Sequence, residues 1–478
     1  MKRLLLFLVF VFLILTSASS QPCLPNGISF TTQTKIDSFQ YDYPNCTEIQ
    51  GDVYIGSIDI TNLDGLNVLT YIAGDLFIGG YQKGTSLINL SGLNNVTSVG
   101  GSLEIRYNTL LTSLSGVDNL TTVGGDLMIT DNTALTNLSG LDNLAFIGWT
   151  LWINYNNALT NITGLSNVNN FHTIHIHGNA SLVSLTGLDQ IDTIYGHLQI
   201  SSNTSMSLSG LDNLKTITGS LWIGGNGFTS LIGLDNLTYV GSGVRIVNCG
   251  YLQCLSGLDK LASIGWHLTI WLNNSLESLS GLDNLVSIGG DLVIGDNHYY
   301  GNPILSSLSA LGNLSTIEGE LMIYKNDSLS SLSGLDNIDA NSITNLIIEN
   351  NQSLSVCEVM SVCNYLASPN GIVSIHSNAT GCSSQEEVSD SCHIIGLSES
   401  ALRQKVLIYP NPAKEKIFIS SPNKIIFNEV AIYNQLGQKV LQELGSNYSI
   451  DVSSLMPGMY VVELVSDEWV VREKLIIR

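Results

Sequence analysis

The chain has 478 residues, of which 44% are hydrophobic and 12% are charged. This composition excludes an intrinsically disordered protein, because such chains combine low hydrophobicity with high charge. Eighteen basic residues stand against forty acidic ones, which gives a net charge of −22. A chain this acidic repels polyanions, so we expect no nucleic-acid partner.

The first twenty residues have the pattern of a secretory signal peptide. Lys2 and Arg3 form a positive start, an apolar run follows at residues 4–15, and small residues occupy 16–20. This apolar run is shorter than a membrane-spanning helix, which favours a cleaved signal over an uncleaved anchor. We therefore predict a signal peptide at residues 1–20, an exported chain, and no transmembrane segment in the mature protein.

Residues 51–350 repeat themselves with a period of about 24 residues. Residues 135–156 show one unit, LTNLSGLDNLAFIGWTLWINYN. Self-similarity at this period is typical of solenoids, in which each unit packs only on its neighbours. A glycine marks the units, and Ala310 takes its place once; the marker glycines are Gly65, Gly92, Gly116, Gly140, Gly164, Gly187, Gly210, Gly233, Gly257, Gly281 and Gly334.

The end of each unit alternates in the manner of a β-strand. In the run Leu127, Met128 and Ile129, a period of two places the leucine and the isoleucine inward and the methionine outward. No segment within a unit is long enough for an independent helix, which argues against a helix-backed horseshoe. We therefore predict an all-β fold whose main part is a β-solenoid of about twelve coils.

An asparagine ends most units. Stacked amides bond to one another and to the backbone of the turn, so we expect these asparagines to form a column with a structural role. The predicted column is Asn108, Asn132, Asn156, Asn179, Asn203, Asn226, Asn273, Asn297 and Asn326.

The segments on either side of the repeats are predicted to be caps, because the open ends of a solenoid expose apolar side chains. Residues 21–50 form the N-terminal cap, and residues 351–403 form the C-terminal cap and a linker. In the second cap, residues 356–366 have helical spacing, 371–375 resemble a strand, and 384–392 resemble a short acidic helix.

The cysteines lie in local groups. An even number of cysteines on an exported chain predicts disulfides, whereas a zinc site needs CxxC spacing and paired histidines. The sequence leaves the pairing open, and the four cysteines of the C-terminal cap alone permit three pairings. The disulfide candidates are Cys23, Cys46, Cys249, Cys254, Cys357, Cys363, Cys382 and Cys392.

The repeated frame L-x-I-x-x-N…L-x-x-L-x-G-L-x-x-L-x-x-I-G, over about residues 50–350, resembles the receptor L domain. That family is distantly related to leucine-rich-repeat proteins. The resemblance implies a right-handed β-helix, and it does not identify a ligand, because folds of this family host many partners.

Residues 404–478 resemble the type A C-terminal sorting domain of the type IX secretion system of Bacteroidetes-type bacteria. The motifs are YPNPA at 409–413, AIYNQLG at 431–437, LMPGMY at 455–460 and KLIIR at 474–478. The resemblance implies a small β-sandwich that engages the secretion machinery. It also implies that the protein is secreted or attached to the outer surface after export through the periplasm.

Right-handed β-helices also include polysaccharide lyases and hydrolases. A lyase needs a basic residue beside clustered carboxylates. The basic residue on the outward face of the central strands, Arg245, instead has Trp222 and Thr269 at the equivalent positions of the adjacent coils. The motifs GxSxG and HExxH and a phosphate-binding loop are missing from the sequence. We therefore predict no enzyme, no catalytic residue, no metal site and no cofactor.

A recurring aspartate in the G-L-D-N-L turn permits two interpretations. Such a row either binds cations or caps each turn by accepting backbone N–H groups. A calcium shell needs six or more oxygens and a recognisable loop, so we favour capping. The row is Asp118, Asp142, Asp189, Asp212, Asp235, Asp259, Asp283 and Asp336.

The outward face of the central strands is the best binding candidate. Large exposed aromatic side chains bordered by polar groups usually mark a ligand or partner surface. Two histidines, His175 and His177, share this face but do not complete a metal site. The candidate ligand-binding residues are Trp152, His175, Trp222, Arg245 and Trp271.

Three hypotheses follow. In the first, the chain is a surface adhesion or recognition protein whose outward face binds an extracellular glycan or protein. In the second, the solenoid is a structural spacer of the cell surface or matrix. In the third, which the missing motifs disfavour, it is a polysaccharide-degrading β-helix enzyme.

Overall fold

The computed structural model describes residues 22–80, 84–204, 206–297, 300–396, 407–420, 427–434, 437–444, 449–465 and 470–478. The predicted signal peptide at residues 1–20 lies outside the described residues. Parallel strands build a β-solenoid between residues 22 and 376, and antiparallel strands form a second region after residue 406.

The solenoid strands are short, with two to five residues each. In chain order they are β1 (Pro22–Cys23), β2 (Ile28–Phe30), β3 (Glu48–Ile49), β4 (Val53–Ile55), β5 (Tyr71–Ile72), β6 (Leu76–Gly79), β7 (Ser98–Val99), β8 (Leu103–Arg106), β9 (Thr122–Val123), β10 (Leu127–Thr130), β11 (Phe146–Ile147), β12 (Thr150–Asn154), β13 (Thr173–His177), β14 (Thr193–Ile194), β15 (Leu198–Ser201), β16 (Thr216–Ile217), β17 (Leu221–Gly224), β18 (Tyr239–Val240), β19 (Val244–Val247), β20 (Ser263–Ile264), β21 (Leu268–Trp271), β22 (Ser287–Ile288), β23 (Leu292–Ile294), β24 (Thr316–Ile317), β25 (Leu321–Tyr324), β26 (Leu346–Glu349) and β27 (Val373–His376).

The α-helices of the described residues belong to the caps. They are α1 (Gln33–Asp37), α2 (Phe39–Asp42), α3 (Met360–Ala367) and α4 (Gln385–Gly396). Single 3-10 turns lie at the marker position of three coils, at Asp64–Leu66, Thr163–Leu165 and Ser309–Leu311, and a further one lies at Ala340–Ser342.

The longer strands of successive coils pair in parallel as one sheet of fifteen, in the order β2-β4-β6-β8-β10-β12-β13-β15-β17-β19-β21-β23-β25-β26-β27. The two-residue strands form two more parallel sheets of six, β1-β3-β5-β7-β9-β11 and β14-β16-β18-β20-β22-β24. The predicted β-solenoid is confirmed, but it has about fifteen turns rather than twelve. The three additional turns lie at the ends of the solenoid. Their strands β2, β4 and β27 continue the sheet, but the units lack the marker glycine from which the coils were counted.

The alternation of side chains along the long strands is confirmed. Leu127 and Ile129 are fully buried, whereas Met128 between them is half-buried. In the paired strands, leucine lies on leucine and isoleucine on isoleucine, as in the rows through Leu103 and Ile105. Ile174 and Val244 take the leucine position in their coils. The core is therefore a stack of closely similar apolar layers, which fixes the register of every outward residue.

The asparagine column is a continuous hydrogen-bonded ladder. The side chain of Asn132 donates to the carbonyls of Ile105 at 2.8 Å and Thr130 at 3.2 Å, and its oxygen accepts the backbone N–H of Asn108 at 3.1 Å. The same bonds recur from coil to coil, and the column asparagines are fully or almost fully buried. The predicted structural role is thus confirmed.

The structure corrects one member of the column. Asn302, which is fully buried, accepts the backbone N–H of Asn273 at 3.2 Å, whereas the predicted Asn297 is exposed. This coil is longer than its neighbours, and the extra residues precede the bend. The column also extends to Asn351 and Asn378 in the C-terminal coils.

Cys249 occupies the place of an asparagine in this column. Its backbone N–H donates to Asn273 Oδ1 at 2.9 Å, and its thiol points at the carbonyls of Val247 and Ile223 at 3.6 and 3.9 Å. Burial raises the pKa of the Cys249 thiol to about 11. A neutral thiol at these distances makes weaker bonds than an amide, so the ladder is weakest here.

The described cysteines form three disulfides, all in the caps. Cys23 pairs with Cys46, Cys357 with Cys382, and Cys363 with Cys392. The prediction of a disulfide at Cys249 and Cys254 is wrong, because both are free. The Cys249 thiol faces the buried column, whereas the Cys254 thiol lies in the following turn and contacts Ser256 Oγ at 3.2 Å.

The caps close the two ends of the apolar core. At the N-terminal end, Phe30, Ile36 and Phe39 are fully buried, and the two phenylalanine rings meet edge to face with centroids 5.7 Å apart. At the C-terminal end, α3 buries Val362 and Tyr365, and the Tyr365 hydroxyl donates to the carbonyl of Thr344 at 2.7 Å. Each disulfide closes a loop of 23 to 29 residues, which contributes about 3 kcal/mol by restricting the unfolded chain.

The strands after residue 406 form two antiparallel sheets around one core. They are β28 (Leu407–Tyr409), β29 (Lys416–Ser420), β30 (Glu429–Tyr433), β31 (Lys439–Leu444), β32 (Ser449–Asp451), β33 (Gly458–Val465) and β34 (Val470–Ile477), arranged as β28-β29-β32 and β31-β30-β33-β34. Ile417 and Ile450 of the first sheet share a buried cluster with Val462 of the second. Asn411 anchors the last strand, because its side chain bonds the backbone of Lys474 and Ile476 at 2.6 and 2.9 Å.

Within the residues that the structure describes, no helix combines the length and hydrophobicity needed to cross a bilayer.

We predict that Leu127→Asp costs several kcal/mol of stability, because it buries a charge with no partner, whereas Met128→Asp costs little. Urea unfolding of the two variants measures the difference. Equal losses would contradict the inward and outward assignment.

We also predict that Cys249→Asn raises the free energy of unfolding by about 1 kcal/mol, because an amide restores hydrogen bonds that the thiol makes only weakly. The matched control, Asn203→Cys, breaks the ladder at an intact coil and should lower stability by at least as much. A destabilised Cys249→Asn variant would show that the column tolerates no amide at this coil.

Candidate ligand-binding face

The structure brings all five predicted site residues onto the outward face of the fifteen-stranded sheet. The strand register places Trp152, His175, Gln199, Trp222 and Arg245 in one row, one residue per coil. Trp271 lies two residues further along β21, on the same face. At ~4.8 Å per coil, the Cα atoms of Trp152 and Trp222 are about 14 Å apart. We call this surface the aromatic face.

An aromatic–histidine cluster crosses β12 and β13. Trp152 stacks on His175 with ring centroids 4.1 Å apart and planes inclined by 6°. At one end of the strands Trp149 meets His172, and at the other Tyr155 meets His177 edge on, with centroids 5.7 and 4.9 Å apart.

Hydrogen bonds hold the far end of this cluster. His177 Nε2 lies 2.8 Å from the Tyr155 hydroxyl, and its Nδ1 lies 2.7 Å from Ser201 Oγ. Because both ring nitrogens have partners, the imidazole of His177 is fixed in orientation and ties together three successive coils.

A second cluster is built around Arg245. Its guanidinium carbon lies 5.4 Å from the ring centroid of Trp222 and 5.8 Å from that of Trp271. Trp271 also stacks on Tyr300, with centroids 6.3 Å apart. Cation–π attraction from both sides therefore holds the guanidinium between two indole rings. Arg245 is exposed, and 40% of the Trp222 surface is open to solvent.

Side chains at the start of the long strands form an acceptor ladder along one border of the face. In each case a side-chain atom accepts the backbone N–H of the same position in the next coil. Thr150 N–H donates to Asp126, Ser220 N–H to His197 Nδ1, and Asp291 N–H to His267 Nδ1, at 2.8, 3.0 and 2.8 Å. His197 and His267 therefore position backbone, and their Nδ1 atoms are engaged.

Some polar atoms of the face are buried without a partner. Trp152 Nε1, Asn154 Oδ1 and Thr130 Oγ1 have no hydrogen bond within the described residues. Each such atom costs about 1–3 kcal/mol relative to a paired one. Stability of the solenoid does not explain their presence here.

The recurring aspartates have the turn-capping geometry. The carboxylate of Asp118 accepts the N–H of Gly116 at 2.7 Å, and the equivalent bond recurs in the other seven turns. Gly116 has φ of 115°, a conformation that side chains rarely adopt, which explains the marker glycine. The turn-capping interpretation is confirmed.

Several contributors to the face were not identified in the sequence. Trp149 and Tyr155 flank Trp152 at intervals of three residues, and His172 lies in the next coil beside Trp149. The 24-residue register contained this signal, because it places residues of adjacent coils side by side. Tyr300 gave no such signal, because it lies in the lengthened coil.

Burial lowers the pKa of His175, with a hydrogen bond that the ring donates to Gln199 acting in the opposite direction and the charge of His197 adding to the lowering. A depressed pKa means that the folded protein binds this proton less readily than the unfolded chain. Stability from the neutral ring is present above the ordinary histidine pKa of about 6.5 and is lost as the pH falls through the folded-state value.

We therefore predict that the His175 ring titrates below about 6.5 in an NMR titration. The free energy of unfolding should fall between pH 7 and pH 5, and the fall should be smaller in His175→Gln. A midpoint at or above the ordinary value would contradict the burial argument.

Comparisons with known proteins identify two parts of the chain. The Receptor L domain family model matches residues 192–248 and 286–393. The Secretion system C-terminal sorting domain model matches residues 407–478. A 68-residue segment is 34% identical to Beta-agarase A of Zobellia galactanivorans. That segment covers 14% of this chain and 13% of the agarase, so this chain spans only a small part of that protein.

The matched families agree with the two architectures, a parallel solenoid followed by an antiparallel β region. Residues 192–248 and 286–393 are therefore similar to receptor L domains and residues 407–478 to the type IX secretion sorting domain, and the protein is secreted or attached to the outer surface.

Proposed function

We propose that this chain is a non-catalytic surface recognition protein whose aromatic face binds a glycan chain. The observation that carries the proposal is the row through Trp152, His175, Trp222 and Arg245, half-buried or exposed on the open side of the sheet. Aromatic side chains bordered by polar groups are suited to contact with sugar rings, and such patches usually mark binding sites.

The shape of the face favours an extended ligand. The two aromatic clusters lie about 14 Å apart on a regular stack, which is further than a small cofactor reaches. The sheet between them carries the polar side chain of Gln199. A chain of sugar rings has both the length and the alternation of apolar faces and hydroxyl groups that this arrangement requires.

A peptide ligand fits less well. Peptides bind sheets mainly by adding a strand to a free edge. The aromatic residues lie on central strands, whose backbone groups are paired on both sides, and the free edges are β2 and β27 at the ends of the solenoid. A folded protein partner remains an outcome that the experiment below separates.

A spacer role accounts poorly for the face. A spacer needs only a solvated outer surface, yet this one has stacked aromatic rings and three polar atoms buried without partners. A lyase or hydrolase role is also less well supported, since the central basic residue, Arg245, lies between two indole rings instead of beside carboxylates.

We predict that Trp152→Ala combined with Trp222→Ala weakens binding to a polysaccharide by about tenfold or more, because each lost aromatic contact contributes of order 1 kcal/mol. The unfolding temperature should hardly change, since neither side chain belongs to the core. Affinity electrophoresis of the full chain through gels containing a panel of polysaccharides measures the effect.

The matched control replaces two aromatic residues outside the face, Tyr41→Ala and Tyr251→Ala, whose side chains are 88% and 69% exposed. These substitutions should leave binding unchanged. Loss of binding in the control alone, or binding only to a host-protein array, would contradict the proposal. Release of reducing ends or unsaturated products would show an enzyme instead.

A further inference from the structure

Unlike several other cationic side chains of the described residues, Arg245 forms no ion pair. Arg106 pairs with Glu104, Lys215 with Asp192, Lys439 with Glu429 and Arg472 with Glu463. Arg245 takes part in none of the ion pairs or side-chain hydrogen bonds of the described residues, and its contacts are the two indole rings. The side chain is exposed while its position is held from both sides.

The carboxylates of the same face are all engaged and lie towards its ends. Glu104 pairs with Arg106 on β8. On the other side, Glu320 accepts from Asn345 at 2.7 Å, and Glu349 accepts from Ser374 at 2.6 Å. In the row itself, the neighbours of Arg245 are Trp222 and Thr269. The centre of the face is thus a positive position in a chain whose net charge is −22.

A guanidinium held in this way is suited to one class of ligand group. Its planar fork of N–H donors matches the oxygens of a carboxylate or sulfate in a two-point contact. Cation–π contact with Trp222 and Trp271 orders the side chain before binding, so less conformational entropy is lost when the anion arrives. Sugar rings on either side of the anionic group would then contact the surface of the two indoles that is left open to solvent.

We infer that Arg245 recognises a carboxylate or sulfate group on the glycan, so that the ligand is an anionic polysaccharide. This inference rests on the proposed function, because it takes the aromatic face as the glycan site. The net charge of −22 repels such a polymer over the chain as a whole, so its binding depends on the local contacts of Arg245 and the aromatic face.

The test compares three oligosaccharides of matched length on the full chain by isothermal titration calorimetry. Alginate oligomers carry carboxylates, κ-carrageenan oligomers carry sulfates, and laminarin oligomers are neutral. We expect tighter binding to at least one anionic oligomer than to laminarin, and the tighter one identifies the charged group. Arg245→Gln should weaken that binding by about tenfold and leave laminarin binding unchanged.

Two variants control for charge and geometry. Lys215→Gln removes the same charge from an exposed turn and should leave all three affinities unchanged. Arg245→Lys keeps the charge but not the fork, so it should keep the preference for the anionic oligomer with weaker binding. A lysine variant without that preference overturns the inference.

Failure of the inference and failure of the proposed function give different results. If Arg245→Gln leaves the affinities unchanged while the Trp152 and Trp222 substitutions abolish binding, the face binds glycans without recognising their charge. If no oligosaccharide binding depends on Trp152 and Trp222, the proposed function itself is wrong. If poly-glutamate binds as tightly as the anionic oligosaccharide and with the same dependence on Arg245, the site recognises acidic polypeptides, and the polysaccharide inference is overturned.

Discussion

The hydrogen-bonded asparagine column is the constraint on which the rest of the molecule depends. Every coil bends at the end of its long strand, and the residue before the column has a positive φ in most coils, as at Tyr107, Asp131 and Leu272. Such a bend is strained and leaves carbonyls without strand partners. Each asparagine satisfies these carbonyls with its N–H₂ group and receives the backbone N–H of the coil before it, so the bend is stabilised between coils.

This ladder also fixes the register. A shift of one residue would take the amide out of the column and would turn every leucine outward. The lengthened coil shows how strictly the position is kept, since Asn302 rather than Asn297 enters the column and the additional residues precede the bend. Outward positions are consequently free to vary, because the layers of Leu and Ile and the amide ladder already specify the fold.

The aromatic face uses that freedom. A solenoid converts single positions in successive units into a row with a repeat of ~4.8 Å, so side chains that are 23 or 24 residues apart become neighbours. Stacking of Trp152 on His175 and of Arg245 on two indoles arises in this way. These contacts lie outside the core, and the unpaired Trp152 Nε1 lowers stability. The stability of the fold therefore does not account for the aromatic face.

The repeat period and the alternation of side chains also explain which parts of the structure could be predicted from the sequence. Period and alternation were sufficient for the inward layers, most of the column and the shared outward face of the five site residues. They did not reveal that Cys249 stands in the column instead of in a disulfide, because grouping cysteines by proximity ignored the register. Nor did they reveal that His197 and His267 accept backbone N–H groups, or that Tyr300 packs on Trp271, since such contacts depend on side-chain direction.

The most direct test of the aromatic face as the ligand surface is oxidative footprinting of the full chain with and without a bound polysaccharide. We expect the ligand to protect Trp222 and Trp271 from oxidation, while Tyr41 and Tyr251, exposed elsewhere on the chain, react equally in both states. Protection of the two tyrosines with unchanged oxidation of the two tryptophans would contradict it.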